Sequence, residues 1–177
     1  QAAFAPRVSA SKIIRTRRSA VSFDGRTHLG AGEFFAMLGR VVPRFASQPH
    51  APAISPPWDC VQWRPRLHLF LFVHLVEGLA PGVYVLIRDP GMIDEIKRAC
   101  DGDFTWAVPA GTPEALPLFE LVRADCRRAA AQLSLGQDIA GMSAFSLGMV
   151  AQFEETLRDE GAWAYRRLFW EAGMIGQ

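Results

Sequence analysis

Apolar positions recur at helical spacing near the start of the chain. Ile13 and Ile14 follow Ser9 and Ser11, either of which can cap a helix. Arg15, Arg17 and Arg18 are expected in the last turn of that helix, where cations suit its dipole. Phe34, Phe35, Met37 and Leu38 predict a second helix over Gly30 to Val42, stopped by Pro43. Pro43 to Pro57, rich in Pro, Ala and Ser, reads as an irregular loop. The period then changes. Arg66 to Glu77 is apolar on both faces, as in a central strand covered from both sides. Gly78-Leu79-Ala80-Pro81-Gly82 turns the chain, and Val83 to Arg88 returns it as a hairpin. A short helix over Gly91 to Cys100 follows, then a third strand over Leu116 to Arg123. An alanine-rich helix over Asp125 to Leu135 leads to a fourth strand over Ala144 to Gln152. Glu154 to Gln177 is mainly helical, with Gly161 as a break near its middle. Helices flanking a mostly antiparallel sheet predict an α+β domain.

Composition narrows the function classes. The 177 residues suit one domain, and 50% hydrophobic with 11% aromatic content indicates a packed core. Nineteen basic against eighteen acidic residues leave a net charge of +1, which gives no field for nucleic acid or a membrane surface. The longest apolar run, Leu67 to Val76, is about half of the roughly 20 residues a membrane helix needs, and His68 and His74 interrupt it. Cys60, Cys100 and Cys126 are far apart, which fits reduced thiols and gives no zinc spacing; no metal site is expected. A cytoplasmic protein follows. Gln1 is not an initiator and Gln177 stops inside a helical pattern, so the chain is expected to be a fragment or a processed product.

Arg17-Arg18-Ser19 stands out chemically. Two adjacent guanidiniums and a hydroxyl can grip a phosphate through charge-assisted, partly bidentate hydrogen bonds. Gln137-Asp138, after Gly136, is either a capping turn or a contact to a ligand or partner subunit. Arg166 and Glu171 read as a surface or interface ion pair. Tyr165 reads as an interface aromatic, His68 and His74 as partnered core histidines, and Cys60 as an inert loop thiol.

Four segments, in order, resemble the nitroreductase superfamily of flavin-mononucleotide (FMN) enzymes, in its SagB-type, thiazole/oxazole-oxidase-like branch. They are Ile14 to Gly25 (IRTRRSAVSFDG), Val73 to Tyr84 (VHLVEGLAPGVY), Leu133 to Met149 with GQDIAG and AFSLGMV, and Trp163 to Gln177. The resemblance implies a nitroreductase-like α+β fold over 1–177, incomplete at the C-terminus, and an interlocked homodimer with FMN bound where the subunits meet. By position, Arg17, Arg18 and Ser19 would contact the phosphate, ribityl chain and pyrimidine edge of FMN, with Gln137 as a further cofactor contact. No catalytic side chain is singled out, because the cofactor carries the chemistry.

Three departures from the family's pattern bear on function. Val21 stands where many relatives carry a basic residue near the flavin. Pro57-Trp58-Asp59-Cys60-Val61-Gln62-Trp63 replaces a Pro-Ser-Gly-Gly loop, so its tryptophans are expected to stack on the flavin or plug the pocket. The family's segment beyond the Glu171-Ala172-Gly173 helix is not part of this sequence. The resemblance thus implies a bacterial FMN-dependent oxidoreductase passing hydride through flavin N5. NAD(P)H would serve as transient electron donor and a small molecule or modified peptide as substrate. The alternative is a flavin-free module that keeps the fold for binding or scaffolding.

Overall fold

Four strands form an antiparallel sheet in the order β3-β2-β1-β4 among the described residues. They are β1 (Leu67–Val73), β2 (Gly82–Leu86), β3 (Leu118–Arg123) and β4 (Phe145–Ala151). The computed structural model describes residues 8–43, 58–61 and 63–176. Most of the loop expected over Pro43 to Pro57 lies outside the described residues, as do Gln62 and Gln177.

β1 is apolar throughout because it is central and both of its faces are covered. Leu67, Leu69, Leu71 and Val73 enter the main core with Phe34 and Leu38 of α2 (Ala31–Val41) and with Leu168 and Ile175 of α7 (Tyr165–Gly176). Strand alternation sends Phe70 to the other face. There it joins a smaller cluster of Val85, Ile87 and Leu121 beneath Ile93 and Ile96 of α3 (Ile93–Ala99). The sheet is therefore a two-sided layer with a larger and a smaller core.

Helix α1 (Ala10–Thr16) starts where Ser9 accepts a hydrogen bond from the Lys12 amide. It ends earlier than the sequence suggested: Arg17 is the C-cap and Arg18 lies beyond it. The alanine-rich helix is α4 (Arg127–Leu133). A four-residue helix, α5 (Ile139–Met142), follows it and shows no periodicity that a sequence reading could detect. Gly161 ends α6 (Phe153–Glu160) with φ +83°, a backbone angle open to glycine, and a 3-10 turn over Ala162–Ala164 leads into α7.

One buried polar cluster ties the last helix to the sheet. Glu171, 1% exposed, accepts the Arg66 amide at 3.0 Å and the Leu67 amide at 3.1 Å, and pairs with the buried Arg88 guanidinium. Arg88 also donates to the carbonyls of Val41 at 2.6 Å and Leu67 at 3.1 Å, with its guanidinium 4.6 Å from the Trp58 ring centre. The expected Arg166–Glu171 surface pair is therefore wrong. Glu171 points inward to a partner brought by tertiary structure, where desolvation makes an unmatched carboxylate untenable.

Candidate functional site

The segment that follows α1 is held by its own backbone. The Arg17 amide donates to the Ile13 carbonyl at 2.8 Å, and Arg18 Nη1 donates to the Arg15 and Arg17 carbonyls at 3.4 and 3.0 Å. Arg17, Arg18 and Ser19 are exposed. Among the described residues no carboxylate pairs with Arg15, Arg17 or Arg18. No described carboxylate compensates this cationic cluster.

Farther on, Asp24 fixes a turn. Its carboxylate accepts the Arg26 and Thr27 amides, each at 2.9 Å. Hydrogen bonds from the Thr27 side chain, the Thr27 amide and the Arg26 amide hold the Asp24 carboxyl at about 2. Gly25 adopts φ +67°, and Arg127 Nη1 reaches its carbonyl at 3.5 Å, linking this turn to α4. Leu29 then pairs with Val76, which ties the segment to the end of the sheet.

The opposite wall comes from the turn between α4 and α5. Leu135 and Gly136 take φ +58° and +77°, which reverses the chain and presents Gln137 and Asp138. Gly141 allows α5 to touch α4: a Cβ there would lie 2.6 Å from the Arg127 carbonyl oxygen. His74 Nε2 donates to the Ala140 carbonyl at 3.2 Å, anchoring α5 from below. Burial keeps the His74 ring below its ordinary pKa, in line with a neutral donor.

Between the two walls lies a groove of about 320 Å³ lined by Val21, Ser22, Gln137, Asp138, Ile139 and Met142. The structure therefore brings Gln137 against the residues just after Ser19, although more than a hundred positions separate them in sequence. Arg17, Arg18 and Ser19 themselves stand ahead of this lining rather than within it. Val21 is 93% exposed and contributes an apolar rim to the groove. Sequence reasoning missed Ser22 and Met142; neither carries a local signal, since only the turn at Leu135-Gly136 brings them together.

The fold has a counterpart among solved structures. A candidate nitroreductase from Anabaena variabilis superposes on 93% of this chain and 28% of its own, with a TM-score of 0.58 and 19% sequence identity. The fold is nitroreductase-like. The chain spans less than a third of that neighbour's length. No protein-family model and no curated protein matches the sequence.

Within this nitroreductase-like fold the tryptophans of the 58–63 stretch are structural. Trp58 is 2% exposed and donates from its indole nitrogen to the Arg40 carbonyl at 2.8 Å. Trp63 packs 6.3 Å from the Trp170 ring and under the Arg167 guanidinium. The expectation that they stack on a flavin or plug its pocket is corrected: both rings are taken up by the protein's own packing. Tyr165 is partly exposed in an aromatic row with Phe153 and Phe169, at ring distances of 5.6 and 4.9 Å. His68 and His74 are both buried and both hydrogen-bonded. The groove's own polar groups are the Ser22 hydroxyl, the Gln137 amide and the Asp138 carboxylate, a set that suits a hydrogen-bonding ligand; the nearest cluster of cations, Arg15, Arg17 and Arg18, precedes it in the chain.

Proposed function

We propose that this chain is an FMN-dependent oxidoreductase of the nitroreductase type, in its SagB-like branch, acting as a homodimer in a bacterial cytoplasm. The reading is carried by one observation: Arg17 and Arg18, which pair with no carboxylate among the described residues, stand with Ser19 in the chain just ahead of a groove that Ser22 and Gln137 line. That donor set fits a phosphate dianion joined to a polar chain and an amide-bearing ring. FMN, when bound, supplies hydride exchange at N5 between a reduced nicotinamide or organic donor and an electron-poor acceptor. Arg17 and Arg18 would hold the phosphate and ribityl chain, Ser19 would donate to an oxygen, and Gln137 would orient the pyrimidine edge. A small molecule or a modified peptide carrying azolines is the substrate class. NAD(P)H fits as the transient donor.

Exposed apolar side chains support pairing of two copies. Phe153, Tyr165 and Phe169 form one contiguous row of exposed aromatic rings on α6 and α7. Surfaces of this kind mark interaction sites more often than open solvent faces.

The test is direct. The purified protein is expected to be yellow and to release FMN on denaturation; a colourless protein that binds no added FMN would end the reading. A second reading, a redox-inactive module with the same fold, is favoured by the uncharged Val21 rim and by the inward Trp58. It predicts a colourless dimer.

A further inference from the structure

The smaller core leaves a cavity that the flavin reading does not use. On that face of the sheet His68 pairs with Val150 and Phe70 with Gly148 across β1 and β4. Helix α3 covers β2 and β3 but stops short of β4. The remaining space, about 310 Å³, is lined by His68, Phe70, Ile96, Cys100, Val150 and Gln152, together with two alanines. That volume is at the small end of ligand pockets, which run from about 300 to 1,000 Å³.

Two polar groups in this apolar lining are oriented and unmatched. His68, 2% exposed, accepts the Arg88 amide on Nδ1 at 3.1 Å, which places the ring proton on Nε2. That Nε2 is buried and has no protein partner. Gln152 accepts from Arg66 Nη1 on its Oε1 at 3.3 Å, so its amide nitrogen is the other end, and it too is buried without a partner. Buried donors without an acceptor are unfavourable and rare in folded proteins. Burial, reinforced by the neighbouring Arg88 charge, lowers His68 to about 4, which keeps this donor neutral at physiological pH. No Lys or Arg lines the cavity, so a carboxylate would be desolvated there without a counter-ion.

We infer that this cavity binds a small uncharged carbonyl compound, an amide or ketone, whose oxygen accepts from His68 Nε2 and Gln152 Nε2. Its apolar body lies against Phe70, Ile96 and Val150. The site shares no residue with the groove at Val21 and Gln137, so it stands whether or not the protein carries a flavin.

Cys100 lines the cavity and reports its occupancy. Alkylation by N-ethylmaleimide is followed by peptide mass at Cys100, with the exposed Cys60 as internal reference. Benzamide is expected to slow Cys100 modification saturably, with a half-effect at millimolar concentration and Cys60 unchanged. Toluene, which lacks the oxygen, and benzoate, which is charged, should each need at least tenfold more. The His68 Nε2–H proton resonance should shift with the same saturation. Ala99→Phe, placed on the exposed end of α3 at the cavity wall, is expected to abolish both effects without lowering Tm. No saturable response to benzamide, the result if water alone satisfies the donors, would overturn the inference. So would equal responses to toluene or benzoate, or responses undiminished in Ala99→Phe. The proton titration of the unsubstituted protein decides by itself if Cys100 proves unreactive.

Discussion

Arg88 and Arg17 are the same residue in opposite circumstances. Arg88 is 1% exposed, and carbonyls, a carboxylate and an indole face surround it. Burial pushes its guanidinium below the usual value, and Glu171 pulls it back. Arg17 is exposed and faces no carboxylate among the described residues. A cation matched by its own protein serves the fold. One that no described carboxylate matches, on an exposed segment, is available to something else. The difference separates residues whose loss should unfold the chain from residues whose loss should only weaken a ligand.

The largest test of that contrast is Glu171→Ala. It strands Arg88 in the interior and removes the acceptor for two strand amides, so about 3–5 kcal/mol of stability should be lost in urea unfolding. A change under about 0.5 kcal/mol would place Glu171 among ordinary surface residues. The joint substitution Arg88→Met with Glu171→Leu should recover only part of the loss: no charge is then left buried, but the Arg66 and Leu67 amides still lack their acceptor.

A pH titration comes next. The unfolded chain protonates His68 near 6.5, whereas the folded chain keeps the ring neutral down to about 4. Between these values the unfolded state binds more protons. Stability is therefore full above 6.5 and falls as the pH drops through this window, by on the order of 3 kcal/mol. His74, lowered for the same reason, adds to the loss in the same direction. Stability that stays flat from pH 7 to 4 would contradict the buried, neutral His68.

Arg17→Ala should leave unfolding within about 0.5 kcal/mol of the original. It should weaken FMN binding by about 1.5–3 kcal/mol, as expected for one charge-assisted hydrogen bond, and fluorescence titration reads this. Unchanged affinity would remove Arg17 from the site. Gly136→Ala is the mildest, costing about 1 kcal/mol because φ +77° is strained for any side chain. If Gln137 contacts the cofactor, the same substitution should also weaken FMN binding.

Much of the fold was legible from residue patterns. The doubly apolar run at β1, the Gly78–Gly82 turn and the break at Gly161 all rest on local chemistry, and local chemistry is what a sequence displays. The cluster Arg17-Arg18-Ser19 stands out in the sequence as three adjacent polar residues, but the structure sets it ahead of the groove lining rather than within it. Glu171 was misread because the cation expected to pair with it along the helix, Arg166, is not its partner. Arg88 reaches it from 83 residues away. The tryptophans near Cys60 were misread because their partners, Arg40 and Trp170, lie on other elements. That Gln137 and Ser22 form one groove depends on the α4–α5 contact at Gly141, a close backbone approach that sequence spacing does not reveal.

Glu171 also sets an order of events during synthesis. The amides at the start of the central strand leave the ribosome 105 residues before the carboxylate that accepts them. Until α7 is made, the edge of the larger core stays open and Arg88 lacks the Glu171 counter-charge. A nascent chain arrested before residue 171 should consequently be protease-sensitive as far back as the first strand, and resistance should arrive abruptly once that helix closes over it.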